Sequence, residues 1–493
     1  MIGFKVSAGQ PVAWPALAGR VHVLVERWPL LAAALVALLA AADRFPALSR
    51  GLGQDELFSV VNFVEPSSWR ATFSNDAFNN HIGYSAMARL AAMLFGHSEA
   101  VLRAPAFVLG IASLVALFPL ARLACGSAAA VVAIVLLAVS PAHVAWSVEA
   151  RGYSALIFFT ILSSWFYARM LRDPSGVRSA LYAAAGVCAI WVHLYGALVV
   201  GVQVGLSVWL WRRGDVRGDQ SGRLAVAYAA IALLGAAVYA LAAPAMLADA
   251  LTRGRSAFDP LFPWRVAQRL AGPAPAPVVA MALAAALLGW LGLGRMRPGV
   301  AAYAGALLAA PVAIVMVIRP ADLYPRFFAY WLSFFVILIA AGLQVLWNAP
   351  SRSIAVHCAC RAGAIVVLAL LLLQWTTARD TLVVDEGYRQ VARTLTLDAS
   401  PDTAYCAIGG ARSVWRFYLP GPVSTPASVA DLQRLGDEHR DVRCAYYEAS
   451  WQEPAQTQMA GYLFASAVWM QRTTTFPDTG EQAVLTSFIY RAR

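Results

Sequence analysis

The sequence predicts an all-α polytopic membrane domain followed by a small α/β domain. Hydrophobic residues make up 60% and charged residues 13% of the 493 positions, and the mean hydropathy is +0.61, whereas a soluble domain carries about 25% charged residues. Apolar runs approaching the roughly 20 residues that span a bilayer recur as far as residue 376. We therefore expect a membrane domain over residues 1–375 and an extracytoplasmic α/β domain over residues 376–493.

The apolar runs divide the first domain into about eleven transmembrane helices. The first run follows Arg20 and Arg27 without a small-residue cleavage site, so it is predicted to be retained as a span. The predicted spans lie near residues 28–45, 101–121, 127–146, 152–170, 178–193, 195–212, 223–243, 276–294, 299–318, 327–347 and 363–376.

Arginines predict the orientation, because cytoplasmic loops collect cations. With the N-terminus inside, the opposite face receives the loop 46–100, the turns 147–151 and 319–326, the loop 244–275 and the C-terminal domain. Much of the net charge of +11 is then explained by arginines in cytoplasmic loops, so nucleic acid is not predicted as a partner.

The first outer loop contains two amphipathic segments. Residues 56–63 place apolar side chains at 57, 60, 61 and 63, roughly on one helical face, and residues 82–95 form a second apolar run that Arg89 interrupts. Both segments are predicted to be juxtamembrane helices that lie on the membrane surface. They would hold the region of Asp55, which directly precedes the first segment, at headgroup depth.

Asp55 and Glu56 are the first candidates for chemistry. Placing a carboxylate near the hydrocarbon core costs free energy, so carboxylates are found there mainly where a function requires them. The alternative is that the pair caps the amphipathic helix that it opens, since acids favour helix N-termini.

Further charged and polar residues fall at span ends on the same face. Glu149 and Arg151 lie two apart in one turn, His193 and Tyr195 lie between two spans, and Arg326 precedes the tenth span. Their structural alternatives are a juxtamembrane ion pair, a hydrogen-bonded core histidine and a snorkelling arginine. As a group, acids, an imidazole and guanidinium groups at one membrane face indicate a cleft for an anionic, lipid-borne substrate, because Arg binds phosphate in a bidentate way.

The order of these motifs resembles that of the C-type (GT-C) membrane glycosyltransferases. The motifs are the Asp-Glu loop, His81-Ile-Gly-Tyr84, Phe95-Gly-His-Ser-Glu-Ala-Val-Leu-Arg-Ala-Pro105, Ser-Val-Glu-Ala-Arg-Gly-Tyr153 and Tyr-Pro-Arg326. Within that superfamily, residues 28–347 are most similar to the branch of protein O-mannosyltransferases and the lipid A aminoarabinose transferase. Relatives commonly have His-Pro-Pro-Leu-Tyr where this chain has Asn80-His81-Ile-Gly-Tyr84, so this chain lacks their proline-fixed turn.

The resemblance implies an inverting transferase that uses a polyprenyl-phosphate sugar, with undecaprenyl phosphate as the carrier. It implies Asp55 as the base and Arg151 and Arg326 at the donor phosphate. Glu56, the second candidate catalytic residue, is either a helper that binds sugar hydroxyls or a residue that points into solvent. The remaining residues of the predicted sugar and acceptor site are His81, Tyr84, Glu149, His193 and Tyr195. The acceptor is predicted to be a lipid, a glycan or a protein, reached from the outer face of a bacterial cytoplasmic (inner) membrane.

No cofactor is predicted, although some relatives bind a divalent ion near the first-loop acids. Glu56, His81 and His193 could supply ligands, but their spacing does not show a metal site, and metal-independent transfer is the default prediction. In the C-terminal domain, Cys406 and Cys444 could form a disulfide in an oxidising compartment or be buried thiols.

Two other classes of function compete with a transferase. A transporter or flippase of an anionic or lipid-linked solute usually shows paired inverted repeats with broken helices near the bilayer midplane. The two halves of this chain look unlike, and its acids lie at span ends. A non-catalytic scaffold would not need Asp55.

Overall fold

The computed structural model describes residues 27–75, 79–216, 218–321, 323–349, 353–383, 385–409, 412–448, 454–467, 469–475 and 483–490. The predicted cytoplasmic N-terminus, residues 1–26, lies outside these ranges.

Helices dominate the chain as far as residue 396. In chain order they are α1 (Pro29–Arg44), α2 (Gln54–Ser59), α3 (Trp69–Phe73), α4 (Ile82–Phe95), α5 (Glu99–Cys125), α6 (Ser127–Val139), α7 (Pro141–Ser147), α8 (Tyr153–Arg172), α9 (Gly176–Val192), α10 (Gly196–Arg212), α11 (Gly218–Tyr239), α12 (Ala243–Thr252), α13 (Phe262–Ala271), α14 (Ala276–Met296), α15 (Pro298–Ile318), α16 (Trp331–Trp347), α17 (Ile354–Leu382) and α18 (Tyr388–Thr396).

The chain forms two compact units. The membrane unit comprises the described parts of Met1–Pro46, Phe73–Tyr84 and Arg103–Leu382, and the C-terminal unit comprises those of Ala47–Thr72, Ser85–Leu102 and Val383–Arg493. Most of the first outer loop therefore belongs to the same compact unit as the C-terminal segment. The functional division at residues 375 and 376 stays a prediction.

Seven helices in the described ranges are long and apolar enough to cross a membrane, and α6 with α7, bent by 63°, would make an eighth span. Three more predicted spans coincide with α9, α10 and α16, each of 17 residues. The predicted multi-pass helical membrane protein is confirmed, whereas the count of eleven stays a prediction. The predicted last span, 363–376, is only the middle of α17.

Small residues let two helices of the membrane unit approach closely. A Cβ atom at Gly289 of α14 would collide with the Leu338 carbonyl of α16, and one at Gly342 of α16 would collide with the Ala285 carbonyl of α14. Such contacts are typical of helices in a bilayer, where van der Waals packing replaces the hydrophobic effect between spans.

The first amphipathic segment differs from its prediction. The α-helical part ends at Ser59 and continues as a π-helical turn, Val60–Val64. Leu57, Val60 and Phe63 are buried, so this apolar face packs within the protein and is not presented to lipid. The second segment, α4, keeps an apolar end exposed at Leu90, Leu94 and neighbouring residues, as a membrane-surface helix would.

The C-terminal unit contains the predicted α/β domain. Its remaining elements are β1 (Thr403–Gly409), β2 (Val423–Ser424), α19 (Val429–Glu438), β3 (Asp441–Glu448), α20 (Pro454–Ser466), β4 (Trp469–Thr475) and β5 (Ala483–Tyr490). The strand order is β2-β1-β3-β5-β4, with β1 parallel to β2 and β3, and β5 antiparallel to β3 and β4.

Cys406 and Cys444 are register partners on the parallel strands β1 and β3 and are joined by a disulfide. The structure thus selects the first of the two alternatives for these cysteines. The disulfide lies in a buried core with Leu432 of α19 and Leu463 of α20, so these helices cover one face of the sheet.

Candidate active site

Arg151 is fixed by the loop that precedes α4. Its Nη1 donates to the Asn79 carbonyl at 3.2 Å and its Nη2 donates to Asn79 Oδ1 at 2.7 Å. Asn79 adopts φ +55°, a left-handed conformation that Asn tolerates better than most residues. The guanidinium of Arg151 is buried, and a short polar loop, not an apolar pocket, sets its direction.

His81 connects this loop to the turn that contains Arg151. The Gly152 N–H donates to His81 Nδ1 at 2.8 Å, so the neutral ring carries its proton at Nε2. Nε2 lies 3.2 Å from Arg151 Nη2, which places two donor groups side by side. A Cβ atom at residue 152 would be 2.8 Å from His81 Nδ1 and 2.6 Å from the Val192 carbonyl oxygen, so the ring can approach only a glycine.

The charge around His81 comes from both predicted phosphate-binding arginines. Burial, and after it the Arg151 guanidinium, the His193 ring and the Arg326 guanidinium, hold the pKa of His81 well below its usual value of 6.5. The imidazole is therefore neutral near pH 7. Two fixed cations and a neutral N–H donor gathered in one place are suited to bind an anion such as a phosphate.

Aromatic rings surround His81 and His193. The two imidazole centroids are 4.7 Å apart, and the Tyr153 ring lies 5.0 Å from that of His81. The Tyr195 N–H donates to His193 Nδ1 at 3.2 Å, and the His193 ring is 5.3 Å from that of Phe327. Arg326 itself lies on the 3₁₀ turn Pro325–Phe328, with its guanidinium carbon 5.0 Å from the Tyr324 ring centre.

Tyr84 and Glu149 occupy the elements that carry these groups. Tyr84 is buried in the first turn of α4. Gly83 allows that turn to approach α9, since a Cβ atom there would be 2.9 Å from the Trp191 carbonyl carbon. Glu149 is partly buried, and its carbonyl accepts from the Arg151 N–H at 2.7 Å. The membrane unit thus brings His81, Arg151, His193, Tyr195 and Arg326 into one cluster, which we call the cationic cluster.

Asp55 and Glu56 lie in the C-terminal unit, in the first turn of α2. Glu56 Oε2 accepts from the Gly53 N–H at 2.8 Å, which is the glutamate half of a capping box, because the N-cap Gly53 has no side chain to supply the other half. The capping alternative therefore describes Glu56, whose catalytic role stays a prediction. Asp55, one position earlier, is partly buried.

Sequence reasoning missed several residues that position these groups. Asn79 was overlooked because a loop that binds a guanidinium follows no period, although a polar Asn79-Asn80 pair directly before His81 is a usable signal. The hydrogen bonds of residues 51, 52 and 54 with Asp385, Tyr418 and Glu386 could not be predicted from the sequence, because they join residues more than 300 positions apart.

Comparison with known proteins relates part of the sequence and the fold to one group of enzymes. The family model for dolichyl-phosphate-mannose-protein mannosyltransferases matches residues 81–237, which include His81, Arg151 and His193. A search of curated proteins found no significant match. The structure of ArnT from Cupriavidus metallidurans in the apo state superposes with a TM-score of 0.57 at 14% identity, covering 96% of this chain and 98% of that one. The fold is that of the GT-C membrane glycosyltransferases.

Other solved GT-C structures agree. ArnT from the same organism bound to undecaprenyl phosphate gives a TM-score of 0.54 at 15% identity, over 95% of this chain and 98% of that one. The oligosaccharyltransferase AglB of Archaeoglobus fulgidus, in complex with an inhibitory peptide and a dolichol-phosphate, gives 0.51 at 12% identity, over 85% of this chain and 70% of that one. The predicted resemblance to GT-C enzymes is confirmed, and glycosyltransferase is the enzyme class on which family match and fold agree.

Within the described ranges no group of three or more His, Cys, Asp and Glu side chains is arranged to hold a metal ion. One Archaeoglobus fulgidus oligosaccharyltransferase structure is a complex with Zn and sulfate (TM-score 0.52, 12% identity, 83% of this chain and 67% of that one). Metal-independent transfer stays a prediction.

Proposed function

We propose that this chain is an inverting glycosyltransferase that moves a sugar from a polyprenyl-phosphate donor, such as an undecaprenyl-phosphate sugar, to an acceptor hydroxyl. The reaction would take place at the outer face of a bacterial cytoplasmic membrane. The acceptor is a lipid, a glycan or a protein, and the fold is shared with enzymes captured with undecaprenyl phosphate, with a dolichol-phosphate and with an acceptor peptide.

The observation that carries the proposal is the cationic cluster. Arg151 and Arg326 both act electrostatically on the neutral ring of His81, and all three side chains are buried. Fixed donors in a site that excludes water stabilise a departing phosphate without reorganisation. Snorkelling arginines would direct their charges towards water, which is not what these two do.

In the proposed step, Asp55 takes the proton of the acceptor hydroxyl. The acceptor oxygen attacks the anomeric carbon in line, the bond from that carbon to the phosphate oxygen breaks, and the configuration inverts. The lipid phosphate leaves with the bonding electron pair, and Arg151 and Arg326 stabilise its charge. His81, Tyr84, Glu149, His193 and Tyr195 form the walls of the sugar and acceptor site.

The test is Asp55→Asn in purified protein supplied with a panel of polyprenyl-phosphate sugars. Loss of a general base costs about 10²- to 10⁴-fold, so we expect kcat to fall by that factor while donor affinity stays within about threefold of wild type. Asp437→Asn, at an exposed position of α19, is the matched control and should keep wild-type turnover. Full activity of Asp55→Asn, or wild-type protein that transfers no sugar, would contradict the proposal.

A further inference from the structure

The backbone that leads into α2 is bound by side chains from the far end of the chain. The Gly51 N–H donates to Asp385 Oδ2 at 3.1 Å, the Leu52 N–H to the Tyr418 hydroxyl at 2.8 Å and the Gln54 N–H to Glu386 Oε2 at 2.8 Å. These three acceptors, which we call the clamp, lie in the C-terminal unit together with α2. Three of the four amides directly before Asp55 are therefore fixed by the clamp.

Glycine makes this approach possible. A Cβ atom at Gly51 would be 2.8 Å from Asp385 Oδ1, and one at Gly53 would be 2.7 Å from Glu386 Oε1. Any larger side chain at either position would push a clamp carboxylate away. The Gly-Leu-Gly sequence before Gln54 thus fits two carboxylates that arrive from more than 300 residues along the chain.

The clamp is itself held in place. Asp385 Oδ1 accepts from the Gly387 N–H at 2.9 Å, and the Tyr418 hydroxyl donates to Glu99 Oε1 at 3.2 Å. Arg389 pairs with the same Glu99 oxygen at 3.1 Å and donates to the Ser49 carbonyl at 2.9 Å. Asp385 and Tyr418 are therefore held by further hydrogen bonds besides those that they make with residues 51 and 52.

Asp55 lies close to this clamp. Burial raises the pKa of the Tyr388 hydroxyl, and the negative charges of Glu386 and Asp55 add to that shift. The carboxylates of Glu386 and Asp55 thus act on the same buried hydroxyl. It belongs to Tyr388, the first residue of α18, two positions after Glu386.

We propose that Asp385, Glu386 and Tyr418 are positioning residues for Asp55, so that the C-terminal segment sets the direction of the catalytic carboxylate. The inference rests on the proposed role of Asp55 as the base. None of the three residues touches substrate; they act by fixing residues 51–54 and with them the first turn of α2. A displacement of the base by about 1 Å is enough to lower turnover by about 100-fold.

The first test compares two alanine variants that each remove an acid from backbone N–H groups at a helix N-terminus. Glu386→Ala releases the Gln54 N–H at α2, and Asp431→Ala releases the Ser428 N–H at α19 (3.1 Å). We expect Glu386→Ala to lower kcat per folded molecule by about 10- to 100-fold with donor KM within about twofold, whereas Asp431→Ala should change only the unfolding temperature. Glu386→Gln keeps an acceptor oxygen and should restore kcat to within about threefold of wild type.

Equal kcat for Glu386→Ala and wild type, or an equal loss in Asp431→Ala, would overturn the inference. If Glu386 had a purely structural role, Glu386→Ala would lower the folded fraction but not kcat per folded molecule. There would then be no loss of kcat for Glu386→Gln to restore.

A second test does not depend on activity. Hydrogen–deuterium exchange of a peptide covering residues 48–58 should become faster in Asp385→Ala, Glu386→Ala and Tyr418→Phe, because each variant frees a protected amide. Unchanged protection in all three overturns the clamp. If wild-type protein transfers no sugar but the amides lose protection in the clamp variants, the proposed function fails and the ordering of the loop by the clamp stands. If Asp55→Asn abolishes transfer but Glu386→Ala keeps both its turnover and its amide protection, the proposed function stands and only this inference fails.

Discussion

Among the described residues of the membrane unit, two buried arginine–histidine pairs differ in the hydrogen bonds that their histidines make. Arg44 and Arg151 are both 1% exposed, so burial alone does not distinguish them. Arg44 Nη2 lies 2.7 Å from the Ala138 carbonyl and 3.1 Å from His143 Nδ1. Arg151 Nη2 lies 2.7 Å from Asn79 Oδ1 and 3.2 Å from His81 Nε2.

The hydrogen bonds of the first pair form a continuous chain from Arg44 to the Gly110 carbonyl. Ser113 Oγ donates to the Gly110 carbonyl at 2.6 Å, so it accepts from His143 Nε2 at 2.9 Å, and Nδ1 is left to accept from Arg44. In the second pair, Nδ1 of His81 already accepts from Gly152, so its Nε2–H faces another donor. The first arrangement joins helices, whereas the second concentrates donors beside a second guanidinium, Arg326. The function of a buried arginine is therefore indicated by the hydrogen bonds of the histidine beside it: the His143 ring accepts from Arg44, whereas His81 presents a second donor to Arg151.

Replacing each arginine by glutamine would test this comparison most strongly. Arg151→Gln removes a cation from the proposed phosphate site and should lower kcat per folded molecule by about 10²- to 10³-fold. Arg44→Gln removes an equally buried cation outside that site and should lower the unfolding temperature, with kcat per folded molecule within a few-fold of wild type. Equal losses of turnover in the two variants would mean that Arg151 is as structural as Arg44.

Gly152 offers a second, smaller test of the cationic cluster. Gly152→Ala places a methyl group 2.6 Å from the Val192 carbonyl oxygen and 2.8 Å from His81 Nδ1, and overpacking of this kind costs about 1–3 kcal/mol. We expect a lower unfolding temperature and reduced turnover, measured by thermal unfolding and by the transfer assay. Gly201→Ala in α10, where a Cβ atom meets nothing within 4 Å, is the control and should be neutral or slightly stabilising. Identical behaviour of the two variants would show that the His81 ring is not confined by Gly152.

The arginines of the cationic cluster and the residues of the clamp differ in how readily the sequence reveals them. Arg151 and Arg326 could be found because they lie at the outer ends of spans, where the positive-inside rule predicts no cations. The clamp residue Glu386 could not be found, because its partner Gln54 is 332 positions away and no motif marks either one.

Periodicity had similar limits in the fold. Apolar runs located the helices of the membrane unit, yet α17 continues well beyond its apolar window of 363–376. Strand β4 is hard to locate from the sequence because Trp469–Thr475 is mostly polar and lacks the apolar run that marks a buried strand. The register of β1 on β3 that joins Cys406 to Cys444 is a tertiary fact, which spacing alone left open.

The protonation state of His81 provides a test of the cationic cluster with the smallest expected effect. Its pKa in the folded protein is held well below 6.5 by burial and by Arg151, His193 and Arg326. Unfolded chains therefore bind more protons than folded ones as the pH falls below about 6.5, and this contribution to the free energy of unfolding, complete above that pH, decreases on acidification. His81→Asn keeps an acceptor for the Gly152 N–H but cannot titrate, so its stability should depend less steeply on pH. Thermal unfolding of both proteins between pH 8 and pH 5 measures the two slopes. Parallel curves would show that the pKa of His81 is not lowered on folding, either by burial or by the neighbouring guanidinium groups, and the assignment of the cationic cluster to an anionic ligand would lose this support.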